Sequence, residues 1–128
     1  MAEAEKKKIL IVDDEEALRE VLTSILEQEG YSVIQAADGR QGVESAKKNR
    51  PDLILMDVMM PHMTGFQALE KLKKMKETVD IPVIMVTAKA DDDSVGQGMQ
   101  LYADKYISKP YDMKHLLLEV KKTLALRA

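Results

Sequence analysis

Acidic, hydroxyl and ammonium side chains stand directly after four short apolar segments of the chain. The first segment runs into a pair of acids, and each of the other three is followed by one polar residue. These residues are Asp13 and Asp14, then Asp57, Thr87 and Lys109. If three carboxylates meet in one crevice, they repel one another unless positive charge lies among them.

The charges of this set indicate a metal site. Lys109 supplies one positive charge, which leaves roughly two negative charges in excess. A divalent cation with oxygen ligands removes that excess, and Mg²⁺ is the expected ion, with Mn²⁺ as the alternative. With a metal, a lysine and a hydroxyl around it, Asp57 is equipped for phosphoryl transfer, because its oxygen can attack in line while the cations neutralise the transferring group.

Each residue taken alone also has a simpler interpretation. Asp13 or Asp14 could cap the helix that follows, with Glu16 completing a capping box. The threonine and the lysine are uninformative by themselves. Asp57 is harder to explain in this way, because an acid directly after four apolar residues costs free energy unless it is matched. The joint occurrence of these groups after four segments favours one shared site.

The spacing of apolar residues predicts five strands that alternate with five helices. Short apolar segments predict strands over residues 9–12, 31–37, 53–56, 82–86 and 105–108, and the continuous apolar runs at 9–12 and 53–56 are typical of strands buried on both faces. Apolar residues at helical spacing predict helices over residues 17–30, 40–49 and 66–75, from Asp91 onward, and over 113–124. Gly96 and Gly98 predict that the helix from Asp91 is the least stable of the five.

This alternation, with short loops, implies an α/β domain in which helices cover both faces of a parallel sheet. In such a sheet a site lies beyond the carboxyl ends of the strands, at the topological switch point. All of the polar residues described above fall on that edge, so their predicted position agrees with their chemistry.

Length and composition fit one domain with one core, since the chain has 128 residues of which 45% are hydrophobic and 32% charged. The net charge of -3 gives no reason to expect nucleic-acid binding. The absence of cysteine excludes a disulfide framework, a thiolate metal site and a cysteine nucleophile. A polar N-terminus and the lack of a long apolar run predict no signal peptide, no membrane span and a cytoplasmic location.

Four segments resemble the receiver domain of two-component response regulators, and the resemblance extends from about Lys8 to Leu124. The segments are Ile9-Leu10-Ile11-Val12-Asp13-Asp14-Glu15, Leu53-Ile54-Leu55-Met56-Asp57-Val58-Met59-Met60-Pro61-His62-Met63-Thr64-Gly65, Pro82-Val83-Ile84-Met85-Val86-Thr87-Ala88 and Tyr106-Ile107-Ser108-Lys109-Pro110-Tyr111. They occur in the expected order at the ends of four predicted strands. The resemblance implies a flavodoxin-like (CheY-like) fold, a doubly wound five-stranded parallel sheet of order 2-1-3-4-5 flanked by five helices.

The resemblance also implies roles for the acidic residues. Asp57 is similar to the phospho-accepting aspartate of the family. Asp13 and Asp14 resemble the acidic pair that holds Mg²⁺ together with Asp57, and the backbone carbonyl of Met59 is expected to be a further ligand.

The remaining implied roles concern the switch. Thr87 looks like the hydroxyl residue that moves toward the phosphoryl group, and Tyr106 looks like the aromatic residue that turns inward as the hydroxyl moves. Ala88 fits the small residue that leaves the phosphoryl group room. Lys109 resembles the lysine that pairs with the phosphoryl oxygens, and its peptide bond to Pro110 is expected to be cis.

Partners follow from the same resemblance. A sensor histidine kinase or a histidine phosphotransfer protein is expected to donate the phosphoryl group, and an unidentified output partner is expected at the face of the fourth predicted helix, fifth strand and last helix. No direct nucleic-acid or membrane partner is expected, and the chain is expected to be a monomer or a weak phosphorylation-dependent dimer. It is not expected to be an enzyme beyond catalysing its own phosphorylation and slow dephosphorylation. The domain is expected to span residues 8–125, after a loosely ordered N-terminus of residues 1–7.

The chain departs from the family pattern at several positions. Tyr102 replaces a glycine that usually ends the fourth helix. Lys105 replaces an acid, and Glu119 stands where DNA-binding members often carry an arginine, so these two residues could form a reversed ion pair. Met59 and Lys89 flank the water that would hydrolyse the acyl phosphate. Because Met59 offers no side-chain hydrogen bond to orient that water, slow loss of the phosphoryl group is expected.

Three other functions are alternatives. A flavodoxin-like binding module for a nucleotide or flavin needs a glycine- or hydroxyl-rich phosphate loop after the first strand, where this chain has acids. A phosphatase-type hydrolase needs a second acid two positions after its nucleophile, where this chain has Met59. A non-phosphorylated structural receiver would not need the complete set of site residues.

Overall fold

The computed structural model describes residues 6–87 and 103–126, apart from the side chain of Thr87. Five strands and four helices lie in these ranges: β1 (Lys8–Val12), α1 (Glu16–Gln28), β2 (Ser32–Ala36), α2 (Gly39–Asn49), β3 (Leu53–Asp57), α3 (Gly65–Lys73), β4 (Val83–Thr87), β5 (Lys105–Ser108) and α4 (Met113–Leu126). No helix of the described ranges has the length and apolarity needed to cross a bilayer.

The strands form one parallel sheet of order β2-β1-β3-β4-β5, which confirms the predicted order. The chain order reverses between β1 and β3, because β1 pairs with both β2 and β3. Val12 lies beside Met56, Asp57 beside Val86, and β4 ends level with β5. The residues that follow β1, β3 and β5 therefore meet at one edge of the sheet, as predicted.

Helices pack on both faces of the sheet, because alternate residues of each strand point to opposite faces. On one face α2 and α3 cover Leu10, Ile54 and Met85, and on the other α1 and α4 cover Ile9, Leu55 and Ile84. Every residue of β3 is buried, which accounts for the apolar run Leu53–Met56 before Asp57. The doubly wound α/β architecture predicted from the sequence is confirmed for the described residues.

Local signals set most of the helix ends. Gly30 follows α1 with a φ of 98°, the left-handed conformation expected of a residue just beyond a helix. Thr64 and Gln67 form a capping box at the start of α3, which the sequence analysis missed. The predicted third helix extended to residue 75, but α3 ends at Lys73 and the buried hydroxyl of Thr78 donates to the carbonyl of Leu72 at 2.6 Å.

Three expectations fall at least partly outside the described residues. The helix predicted from Asp91, with Gly96 and Gly98, and the departure at Tyr102 lie in residues 88–102. The loosely ordered N-terminus concerns residues 1–7, of which 1–5 are not described, and the carbonyl of Lys7 accepts a hydrogen bond from the amide of Ser32 at 2.9 Å.

Gly65 lets α3 begin against the end of β3, and it should not tolerate a side chain. Its amide donates to the carbonyl of Val58 at 2.9 Å, and a Cβ placed on it would overlap the carbonyl oxygen of Asp57. We expect Gly65→Ala to lower the free energy of unfolding by roughly 1–3 kcal/mol in urea denaturation, since the backbone must move to remove the overlap. Lys71→Ala, at an exposed position of α3, is the matched control. A Gly65→Ala protein as stable as this control would contradict the prediction.

Candidate functional site

The carboxylates of Asp13, Asp14 and Asp57 converge at the carboxyl edge of the sheet, where one oxygen of each lies within 4.8 Å of the others. Asp13 and Asp57 are buried, with 4% and 6% of their surface exposed, whereas Asp14 is exposed. Asp13 follows β1 and Asp57 is the last residue of β3, so two neighbouring strands hold the buried pair in place.

Lys109, the residue after β5, supplies the positive charge. Its Nζ atom donates a hydrogen bond to Asp57 Oδ1 at 3.3 Å and lies 3.8 Å from Asp13 Oδ2. The Lys109–Pro110 peptide bond is cis. One ammonium group therefore contacts two buried carboxylates, and the negative charge of the cluster exceeds the positive charge.

Burial raises the pKa of Asp57 above its ordinary value, and the nearby charge and hydrogen bond of Lys109 offset this only in part. The pKa of Asp13 is raised for the same first reason, and the charge of Asp57 raises it further. A backbone hydrogen bond from Glu15 opposes the rise at Asp13, as one from Met59 does at Asp57. Ionised carboxylates at this edge are thus destabilised, and an additional cation would relieve them.

The donor set fits Mg²⁺. Within residues 6–87 and 103–126, Asp13, Asp14 and Asp57 are the one group of acidic or histidine side chains placed to hold a metal. All of these donors are oxygens, which hard divalent cations prefer. The carboxylates of Asp14 and Asp57 open onto a cleft of about 360 Å³ that is also lined by Met59 and Lys109. Met59 is 71% exposed at the mouth of this cleft.

The interpretation of the first acids as helix caps is wrong. Glu15 is the N-cap of α1, with no side-chain capping hydrogen bond. Asp13 Oδ1 instead accepts from the backbone amide of Glu15 at 2.9 Å, which fixes the turn between β1 and α1. Asp13 Oδ2 faces Lys109, so this carboxylate belongs to the acidic cluster.

The residues assigned to the switch are described only in part. The backbone of Thr87 ends β4 beside Ser108, whereas its side chain, Ala88 and Lys89 lie outside the described residues. Tyr106 is half-buried on β5, its ring centre 6.4 Å from that of Phe66. Burial raises the pKa of Tyr106 to about 12, and its buried hydroxyl has no hydrogen-bond partner among the described residues.

The reversed ion pair at the face of β5 and α4 is confirmed. Lys105 Nζ lies 3.1 Å from Glu119 Oε1, and Lys122 and His115 lie 3.8 Å and 4.0 Å from Oε2. Burial raises the pKa of Glu119, but the hydrogen bond and charge of Lys105, together with the nearby Lys122 and His115, outweigh this, so that the pKa is lower than usual. The side chain of Lys105 therefore forms its ion pair within the domain.

A sequence profile described as "Response regulator receiver domain" matches residues 9–121. The chain belongs to this family. Its members are signalling domains of two-component systems, which agrees with the resemblance drawn from the four sequence segments.

Among its relatives, the chain is 42% identical over 118 residues to the phosphate regulon transcriptional regulatory protein PhoB of Pseudomonas aeruginosa. The match covers 92% of the chain and 52% of PhoB. The DNA-binding dual master transcriptional regulator RpaA of Synechocystis is 39% identical over 117 residues, which cover 91% of the chain and 48% of RpaA. The chain thus spans about half the length of these relatives.

Solved receiver structures share the fold. A CheY-like receiver domain protein from Methanospirillum hungatei superposes with a TM-score of 0.88 at 36% identity, and the match covers 94% of each chain. The receiver domain of the sensor histidine kinase PA1611 from Pseudomonas aeruginosa has a TM-score of 0.86 at 29% identity, covering 94% of this chain and 98% of that one. That structure holds a magnesium ion in its active-site cleft.

A polar network beside the acidic turn was not predicted from the sequence. Arg19 on α1 donates through Nη1 to the backbone carbonyl of Asp13 at 2.6 Å and through Nε to Gln35 Oε1 at 3.0 Å. Gln35 in turn donates to Thr23 Oγ1 at 2.9 Å. The sequence signal that could have pointed to this network is the position of Arg19, a cation near the N-terminus of a helix, where the helix dipole disfavours positive charge.

Replacing the buried acid at the end of β3 should stabilise the metal-free protein. A raised carboxyl pKa means that the folded state binds the proton more tightly than the unfolded chain, so stability is lost as the pH rises through the folded pKa. We expect Asp57→Asn to raise the midpoint of thermal unfolding by a few degrees at neutral pH with EDTA present, and the gain to vanish in acid.

Asp80→Asn, which removes an exposed carboxylate before β4, is the matched control and should leave the midpoint nearly unchanged. A lower unfolding midpoint for Asp57→Asn than for the wild type at neutral pH would contradict the prediction. It would show that the ionised Asp57 carboxylate stabilises the folded state.

Proposed function

We propose that this receiver domain accepts a phosphoryl group on Asp57 from a phosphohistidine and uses Mg²⁺ held by Asp13, Asp14, Asp57 and the Met59 carbonyl. The observation that carries the proposal is the convergence of three carboxylates with one lysine at the carboxyl edge of the sheet. An acidic cluster without enough positive charge attracts a divalent cation, and a lysine beside one acid pairs with the oxygens of a phosphoryl group.

The side chains act on the transfer through position and charge. An Asp57 carboxylate oxygen attacks phosphorus in line as the bond from phosphorus to the donor imidazole nitrogen breaks. Lys109, already 3.3 Å from Asp57 Oδ1, pairs with the phosphoryl oxygens. Bound Mg²⁺ supplies further charge neutralisation on the phosphoryl group. The domain catalyses this transfer and its own slow dephosphorylation, and it acts on no separate substrate.

Phosphorylation then changes the surface of the domain. The phosphoryl group adds roughly -1.5 to -2 charges and three acceptor oxygens beside Lys109. Thr87 moves to hydrogen-bond these oxygens, and Ala88 leaves the group room. Tyr106, whose buried hydroxyl has no hydrogen-bond partner among the described residues, turns further inward in response. The face formed by β5, α4 and the helix predicted from Asp91 is remodelled for an output partner.

The donor is a sensor histidine kinase or a histidine phosphotransfer protein in the cytoplasm. The chain acts as a monomer or as a weak phosphorylation-dependent dimer, and residues 8–125 form the signalling unit. The ion pair of Lys105 and Glu119 is the reverse of the charge pattern in DNA-binding members, so a dimer held by that pattern is disfavoured. A nucleotide- or flavin-binding function is disfavoured too, because acids such as Asp14 and Glu15 follow β1, where such a module needs a glycine- or hydroxyl-rich phosphate loop.

Mass spectrometry after incubation with acetyl phosphate tests the proposal. With Mg²⁺ the wild-type protein should gain the mass of one phosphoryl group, and peptide fragmentation should place it on Asp57. Asp57→Asn should gain no mass, and Lys109→Ala should gain it at least tenfold more slowly, because the transferring group loses its cationic partner. EDTA should abolish the gain in the wild type.

Asp80→Asn is again the control, since it removes an exposed carboxylate away from the cluster and should be phosphorylated like the wild type. A wild-type protein without mass gain in Mg²⁺, or a phosphoryl group on another residue that persists in Asp57→Asn, would overturn the proposal.

The lifetime of the phosphoryl group should depend on Met59, which lies at the mouth of the cleft and offers no donor to orient an attacking water. We expect Met59→Asn to speed the loss of the phosphoryl group severalfold, because the amide can hold that water near phosphorus. Release of inorganic phosphate after removal of acetyl phosphate gives the rate. Val79→Asn, the control, places an asparagine at another exposed apolar position, before β4, and should not change the rate. Equal rates in the wild type and both variants would contradict the assignment of Met59.

A further inference from the structure

The backbone of Asp13 determines where the first acidic side chains point. Its amide donates to the carbonyl of Ala36 at 3.2 Å, and its Oδ1 accepts from the amide of Glu15 at 2.9 Å. Oδ2 is the atom that faces Lys109. The direction of this oxygen, and that of the adjoining Asp14, therefore depends on how firmly the turn after β1 is held.

The backbone carbonyl of Asp13 lies just past the end of the pairing between β1 and β2. The last paired residues are Val12 and Ala36, and Asp38 already serves as the N-cap of α2. Arg19 Nη1 donates to this carbonyl at 2.6 Å, a short charge-assisted hydrogen bond. The guanidinium of Arg19 thus takes the place of the backbone amide that β2 would supply if its pairing with β1 continued.

Arg19 is itself held by the side chain of Gln35, which the side chain of Thr23 holds in turn. Its Nε donates to Gln35 Oε1 on β2 at 3.0 Å, and Gln35 Nε2 donates to Thr23 Oγ1 on α1 at 2.9 Å. The planar guanidinium can make both of its bonds at once, which the ammonium group of a lysine cannot reproduce in the same geometry. The carbonyl of Asp13 is thereby tied to one helix and one strand.

The helix dipole does not favour a cation at this position. Arg19 lies at the end of the first turn of α1, where the helix dipole disfavours positive charge. A positive charge near the acidic cluster also weakens the binding of a second cation there. The hydrogen bond to Asp13 gives the residue a geometric role that offsets both effects.

We propose that Arg19 is a positioning residue of the metal site, which fixes the turn after β1 so that Asp13 and Asp14 present their carboxylates to Mg²⁺. The inference rests on the proposed function, in which these acids hold the metal. Among the described residues, Arg19 hydrogen-bonds to the Asp13 carbonyl and to Gln35 and forms no ion pair with the metal-binding acids, so it acts through the backbone of Asp13.

Calorimetric titration of the full chain with MgCl₂ tests the inference, because the two possible roles of Arg19 predict opposite changes in Mg²⁺ affinity when it is replaced. Losing a positive charge should tighten Mg²⁺ binding if Arg19 acts only by its charge. If it positions the turn, Arg19→Ala should weaken binding about tenfold, the lower end of what is lost when a group that orients a ligand is removed. An unchanged or tighter affinity in Arg19→Ala would overturn the inference.

Companion variants separate positioning from charge and from folding. Gln35→Leu keeps the positive charge but frees the guanidinium, so it should weaken binding in the same direction, and it decides the matter if Arg19→Ala does not fold. Arg19→Lys should recover part of the affinity. Lys48→Ala removes an exposed cation from the last turn of α2, at the other end of the sheet, and should bind Mg²⁺ like the wild type.

Amide NMR spectra of the metal-free proteins provide a readout that is independent of phosphorylation. In Arg19→Ala the amide of Glu15 should exchange with solvent faster than in the wild type, because the turn that it closes has lost its anchor. If the wild type itself shows no saturable Mg²⁺ binding, the proposed function fails along with this inference. If the wild type binds Mg²⁺ and Arg19→Ala binds it equally well, the inference alone fails.

Discussion

Repulsion among the carboxylates at the carboxyl edge of the sheet is the constraint on which the functional part of this structure depends. Two of them are buried, and the ammonium group of Lys109 contacts both without matching their combined charge. The fold therefore holds its acids in a state that a bound divalent cation would relieve.

The architecture maintains this arrangement from both sides. Parallel pairing brings the ends of β1, β3 and β5 to one edge, and the layers of helices bury the strands on both faces of the sheet. Gly65 allows α3 to begin against the carbonyl of Asp57, and Arg19 anchors the turn that carries Asp13. These contacts maintain the geometry of the acids, which their mutual repulsion would otherwise spread apart.

Much of this could be predicted from the sequence, because strand burial and strand-end polarity are properties of short segments. The structure contains three features that were predicted: the strand order, the convergence of the acids at positions 13, 14 and 57, and the reversed ion pair of Lys105 with Glu119. Arg19 could not be found in this way. Its role depends on where β2 diverges from β1, and an arginine among helical polar residues looks like part of a solvated face. The end of α3 was misplaced for a similar reason, since Thr78 reaches back from a later turn.

A structure of the protein with Mg²⁺ and beryllium trifluoride, an analogue of the phosphoryl group, tests the central claim most directly. The account predicts the analogue on a carboxylate oxygen of Asp57 and within reach of Lys109. It also predicts Mg²⁺ bound among the acids and the Met59 carbonyl, with ligand distances of about 2.0–2.1 Å. An analogue on another residue, or a metal bound away from Asp13, Asp14 and Asp57, would contradict it.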